Sequence, residues 1–129
     1  MKNIILWIWQ LPQHIVALIA IKVTRAYRVK HFNSALIYCY DCKSNLGGAH
    51  GKYILMPCNA NETWVKHEYG HVRQSKRWGW LYYLAVGLPS VISLWLVRRG
   101  TITHVQRMNS WPEKQADRLG GVTRQAFND

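Results

Sequence analysis

The chain has 129 residues, which excludes a multidomain organisation and allows one domain with a modest core. Seventeen Lys and Arg stand against 6 Asp and Glu, a formal net charge of +11. A surface this basic points to an anionic partner, either nucleic acid or an anionic membrane face.

Ile4 to Val23 is nearly all apolar, interrupted only by Gln10, Gln13, His14 and Lys22. It is too long for a removed signal peptide and lacks a small-residue cleavage site. Its length is close to the roughly 20 residues that cross a bilayer as a helix. Pro12, between two Gln residues, predicts a kink. Lys22, Arg25, Arg28 and Lys30 follow it.

Residues 32–57 read as strand. Ala35-Leu36-Ile37-Tyr38-Cys39-Tyr40 is rich in aliphatic and aromatic residues. Asn45-Leu46-Gly47-Gly48-Ala49 is a turn signal, and Gly51-Lys52-Tyr53-Ile54-Leu55-Met56 is a second strand ended by Pro57. Together they predict a β-hairpin. Cys39 and Cys42 form C-x-x-C and Cys58 stands apart. A structural zinc site wants four ligands, and His50 is backed by no spacing rule. An odd cysteine count argues against a disulfide framework and for a reducing compartment, with Cys39 an ordinary strand residue.

A helix is expected over 63–77, with Asn61 or Thr63 as its cap. It carries His67-Glu68-Tyr69-Gly70-His71, an H-E-x-x-H run. At a separation of four, His67 and His71 share a helix face and can bind one zinc, while Glu68 can take a proton from a water molecule. The reaction class implied is metal-assisted hydrolysis, most often of a peptide bond.

Trp78 to Val97 is free of charge and again of membrane-spanning length. Gly87-Leu88-Pro89-Ser90 interrupts it. A single crossing would separate His71 from any ligand further along the chain. The segment is therefore expected to turn at 87–90 and return to the same side, bringing Arg98 and Arg99 to Arg73, Lys76 and Arg77. Basic residues flanking apolar segments suit a cytoplasmic membrane face better than a nucleic-acid groove. Seven Trp and 7 Tyr suit an interfacial aromatic belt. No helix-turn-helix or zinc-finger spacing supports a specific nucleic-acid partner.

The last element is 111–121, Trp111-Pro112-Glu113-Lys114-Gln115-Ala116-Asp117 and beyond. Pro112 suits the first turn of a helix, on which Glu113 and Asp117 share a face. The chain's few acids are concentrated here: Glu68, Glu113 and Asp117 are three of six.

With both motifs present, the chain resembles the gluzincin metallopeptidases, the thermolysin-like group, over roughly 63–77 and 111–121. That resemblance implies E-x-x-x-D on a second helix. Glu113 would be the third zinc ligand, and Asp117 would hold His67 from behind. One zinc per chain would be held by His67, His71 and Glu113, with Glu68 as general base. His104, Tyr82 or Tyr83 would stabilise the oxyanion. The chain is too short to contain thermolysin's architecture, and its likeness is closer to compact, membrane-associated members of the group. There is also a looser similarity to intramembrane site-2 proteases. It rests on H-E-x-G-H followed by Ser75 and Gly79, with Asp117-Arg118-Leu119-Gly120-Gly121 in place of L-D-G. That reading would make Asp117 the ligand. A third is a zinc-binding membrane protein without catalysis.

The expected architecture is α+β: one mainly helical, membrane-associated domain over 1–129 with two interrupted apolar segments and a hairpin before the zinc helix. Gly47 to Leu55 would line the cleft and receive a peptide or protein substrate by strand addition. Membrane lipid is the second expected partner.

Overall fold

The computed structural model describes residues 2–44 and 47–123. The fold is α+β, with helices around a four-stranded mixed sheet.

The N-terminal apolar run forms two helices, α1 (Lys2–Trp9) and α2 (Leu11–Thr24), bent by 77° at Gln10. Pro12 lies in the first turn of α2, where its missing N–H costs nothing. The polar residues of the run are its buried side. Gln10, Gln13 and His14 are buried, whereas Ile15, Leu18, Ile19 and Val23 are exposed. Gln13 and Gln10 bond to Ser75, His14 accepts from the Lys52 amide, and α2 is thereby fastened to the body of the fold.

The sheet has the order β1-β2-β4-β3, from Tyr27–Phe32, Ala35–Tyr40, Tyr53–Pro57 and Gly48–His50. β1 was not apparent in the sequence, because its residues YRVKHF are almost all exposed. The expected hairpin of 35–40 with 51–56 does not form, since β2 and β4 run parallel. The reason lies in the stretch read as a turn. Gly48–His50 is itself a strand, which descends one place beyond β2 and leaves a gap that β4 fills on its way back. The hairpin before the helix of residues 62–78 is thus β3–β4. It turns at Gly51, where φ is +63° and an added Cβ would strike the His14 ring.

Parallel pairing of β2 and β4 also corrects the reading of the cysteines. Cys39, paired with Met56, has its Cα 4.8 Å from that of Cys58, and the two form a disulfide. Cys42 is left as an exposed thiol.

Ala35, Ile37, Ala49, Ile54 and Met56 pack against Val65 and Val72 of α3 (Glu62–Trp78). Ala20 of α2 packs with Tyr40 and Leu55. The sheet therefore carries apolar contacts to both helices.

The second apolar run does not turn at 87–90. After a 3-10 turn at Gly79–Leu81 it winds through one π turn, Tyr83–Gly87, into α4 (Leu88–Arg98). Pro89 cannot donate to the Ala85 carbonyl four residues back, and the Trp111 indole donates to that carbonyl at 3.1 Å. The reversal comes after α4, at Gly100, where φ is +75°. The returning arm is α5 (His104–Met108), whose Arg107 reaches Ser93 and Ser90 of α4. α6 (Glu113–Gly120) then crosses α3. No single helix among the described residues is long and apolar enough to cross a membrane; α1 and α2 pass by length and composition only as a bent pair.

Candidate metal and catalytic site

Asn61 starts α3 by accepting the Trp64 amide at 2.9 Å, the cap expected of one of two residues. His67, Glu68 and His71 follow on the helix, all buried. The crossing of α3 by α6 brings the second motif to them, and glycine permits it. A Cβ on Gly70 would lie 1.8 Å from the Ala116 carbonyl oxygen, and one on Gly120 would lie 1.8 Å from that of Lys66. Backbones this close put Glu113 and Asp117 within reach of short His side chains.

His67 Nε2 lies 3.0 Å and His71 Nε2 3.3 Å from Glu113 Oε2. Behind each ring the other nitrogen is held. His67 Nδ1–H donates to Asp117 Oδ1 at 2.7 Å, and His71 Nδ1–H donates to Gln74 Oε1 at 2.7 Å. The Gln74 amide is oriented by its own donations to Pro112 O and Gln115 Oε1, so its oxygen faces the imidazole. With both Nδ1 atoms as donors, both Nε2 atoms present lone pairs. They converge on a carboxylate oxygen that is also an acceptor. With neutral rings these are three acceptors around one point, which a proton on a ring nitrogen or a metal cation can reconcile. The three ligand atoms lie within 4.8 Å of one another, a buried His-His-Glu group that could hold a metal ion.

Glu113 is completely buried, and its second oxygen has its own partners. Arg107 Nη2 lies 2.9 Å from Oε1, and the Ser90 hydroxyl also donates to it. Burial alone would raise the Glu113 pKa. The bonds from His67, His71 and Ser90 more than reverse this and hold the group well below the usual carboxylate range. Burial likewise lowers the pKa of His67, but its contacts with Glu113, Glu68 and Asp117 outweigh burial and leave it raised.

His67, His71, Ser90, Arg107 and Glu113 line a cleft of about 810 Å³. Glu68 lies in it, with one oxygen accepting from the Trp64 indole at 3.2 Å. One wall is Gly47–His50, which includes the sheet-edge strand β3. Of the stretch expected to line the cleft, residues 51–55 are set back behind that edge strand and do not line it. The facing wall includes Leu88, Val91 and Leu94 of α4. The three residues considered for the oxyanion all line the cleft in different states. Tyr82 is buried and directed to the Ala49 carbonyl at 3.5 Å. Tyr83 meets His50 Nδ1 at 2.9 Å, and burial raises its pKa, so its hydroxyl stays protonated. His104 is exposed at the start of α5.

Gln74, Trp64, Ser90, Arg107 and His50 were not apparent beforehand. The first two had a signal, since Gln74 is three residues after His71 and Trp64 four before Glu68 on one helix. The other three come from separate elements and had none. No family model matches this chain, and no curated protein or solved structure is significantly similar to it.

Proposed function

We propose that the chain is a zinc-dependent metallopeptidase, with His67, His71 and Glu113 as the metal ligands and Glu68 as the general base. The observation that carries the proposal is the convergence of two Nε2 atoms and one carboxylate oxygen beside Glu68 in a single cleft. A donor set of two imidazoles and one carboxylate suits catalytic zinc, which leaves a coordination position for water or substrate. Asp117 is engaged at Nδ1 of His67, which favours Glu113 over Asp117 as ligand.

Zinc bound there would polarise the scissile carbonyl and lower the pKa of water. Glu68, steadied by Trp64, accepts the proton of the attacking water and returns it to the leaving amine. Arg107 and Ser90 hold Oε1 of Glu113 and so aim Oε2 at the imidazoles. β3 is the edge strand of the sheet and runs along the cleft, which suits the addition of an extended peptide. The Tyr83 hydroxyl, placed by His50, donates to the oxyanion.

The test is cleavage of a mixed set of fluorogenic peptides by zinc-loaded protein. Glu68→Gln should abolish turnover, by about 10²-fold or more, and keep its zinc. Full activity in Glu68→Gln would refute the mechanism. A wild type that binds zinc and cleaves nothing would leave a metal-binding protein without catalysis.

A further inference from the structure

The outer surfaces of the apolar helices are built the opposite way to those of a water-facing helix. On α2 the buried residues are Gln13, His14, Ala17, Ala20 and Thr24, and the exposed ones are Ile15, Leu18, Ile19 and Val23 with Lys22 near the end. α1 buries none of its residues, yet Ile4, Ile5 and Ile8 are 51–65% exposed. The surface continues through the 3-10 turn. The Trp80 indole donates to the Ile8 carbonyl at 2.8 Å and that of Trp9 donates to Lys76 O at 3.0 Å, so α1 is seated beside Trp80 and Leu81. From there it runs along the next helix through Leu84, Leu88, Val91, Ile92 and Trp95.

Two features say what covers this surface. The exposed indoles of Trp9 and Trp80 have already given their N–H groups to backbone carbonyls, so their rings turn no unsatisfied donor outward. Such rings can enter hydrocarbon without stranding a polar group. The charge is one-sided as well. Residues 1–40 and 69–112 contain no Asp or Glu, and basic residues end each apolar run: Lys2 at the start of α1, Lys22 and Arg25 at the end of α2, Arg98 and Arg99 at the end of α4. Aliphatic faces bounded by Lys and Arg complement an anionic bilayer, with apolar residues below the headgroups and cations among them.

We propose that this surface, from α1 through Trp80 and Leu81 to α4, docks on an anionic lipid bilayer. Leu88, Val91 and Leu94 are on the exposed helix and also line the cleft. The cleft mouth therefore opens at the lipid surface. On the peptidase reading above, its substrate class is an extended, apolar peptide segment lying at that surface.

The docking itself is tested without catalysis. Full-length protein, freed of detergent, is floated with vesicles of phosphatidylcholine, with and without phosphatidylglycerol. It should float with the anionic vesicles. Leu84→Glu with Ile92→Glu, two exposed positions outside the cleft lining, should lower partitioning about tenfold or more while leaving thermal unfolding in place. Protein that stays at the bottom of both gradients, a lipid-free dimer in which this face is covered, or a double variant that floats like the wild type would overturn the proposal. Glu68→Gln should float unchanged. Flotation without cleavage of a vesicle-bound peptide counts against the peptidase reading and leaves the docking standing; cleavage without flotation does the reverse.

Discussion

His67 and His71 each turn one ring nitrogen inward and have the other held from behind, by Asp117 and Gln74. Ligand and orienting partner should therefore separate on mutation. In elemental analysis the wild type is expected to carry one zinc per chain, Glu113→Ala to lose it, and Asp117→Ala to keep it with an affinity weaker by about 10–100-fold. Zinc lost mainly with Asp117→Ala would transfer the ligand role to that residue. The same geometry sets a pH dependence. In the metal-free protein the His67 pKa lies above 6.5, because its carboxylate neighbours outweigh burial. Its proton stabilises the fold fully below 6.5 and ceases to do so as pH rises through the raised value. Metal needs the neutral ring, so it competes with that proton. Zinc affinity should climb with pH across this window and zinc should be released on acidification. A chelator titration that gives one affinity on both sides of neutrality would contradict the assignment.

At the scale of elements, the site depends on how closely α3 and α6 approach. Gly70 and Gly120 are each in contact with backbone of the other helix, which has no flexible end to move aside. Gly70→Ala gains helix propensity but must push Ala116 away. The expected net result is a loss of about 1–3 kcal/mol of stability, together with the zinc, because Glu113 and Asp117 move with α6. Unfolding in urea, read beside metal content, checks this, and an unchanged Gly70→Ala protein would mean that the crossing is looser than described. α4 and α5 act on Glu113 from the other side. Ser90 and Arg107 meet at Oε1 of Glu113, so the helix that presents apolar residues outward also steadies the proposed metal ligand.

For the whole molecule, the sheet is held at one end by the Cys39–Cys58 disulfide, a sequence separation of 19 that encloses β3 and β4. Cross-linking a loop of this size removes unfolded-state entropy worth about 3 kcal/mol. Cys39→Ser with Cys58→Ser should lower stability by about that amount, and wild-type protein under reducing conditions should match it. The loop ends just before α3 and includes the β3 wall of the cleft, so zinc affinity and peptide binding should weaken together. A double variant as stable as the wild type would show that the parallel β2–β4 pairing suffices alone.

The sequence by itself determined the parts whose information is local. H-E-x-x-H at helical spacing, a capping Asn61, and Glu113 and Asp117 on one face of a short helix each follow from the 3.6-residue period and from residue chemistry. The α+β class and the kink near Pro12 were legible for the same reason. The tertiary structure alone decided whatever depends on where the chain returns. The stretch 45–49 looks like a turn because it holds Gly47 and Gly48, yet Gly48–His50 is a strand, with β4 as its partner. Gly87–Ser90 looks like a break, yet the helix runs on, since Trp111, more than twenty residues later, donates to the carbonyl that Pro89 leaves free. The disulfide follows from a parallel register that a count of cysteines does not contain. Arg107, Ser90 and His50 reach the site from three separate elements. Periodicity reports which residues share a face of one element, while long-range pairing decides which faces meet.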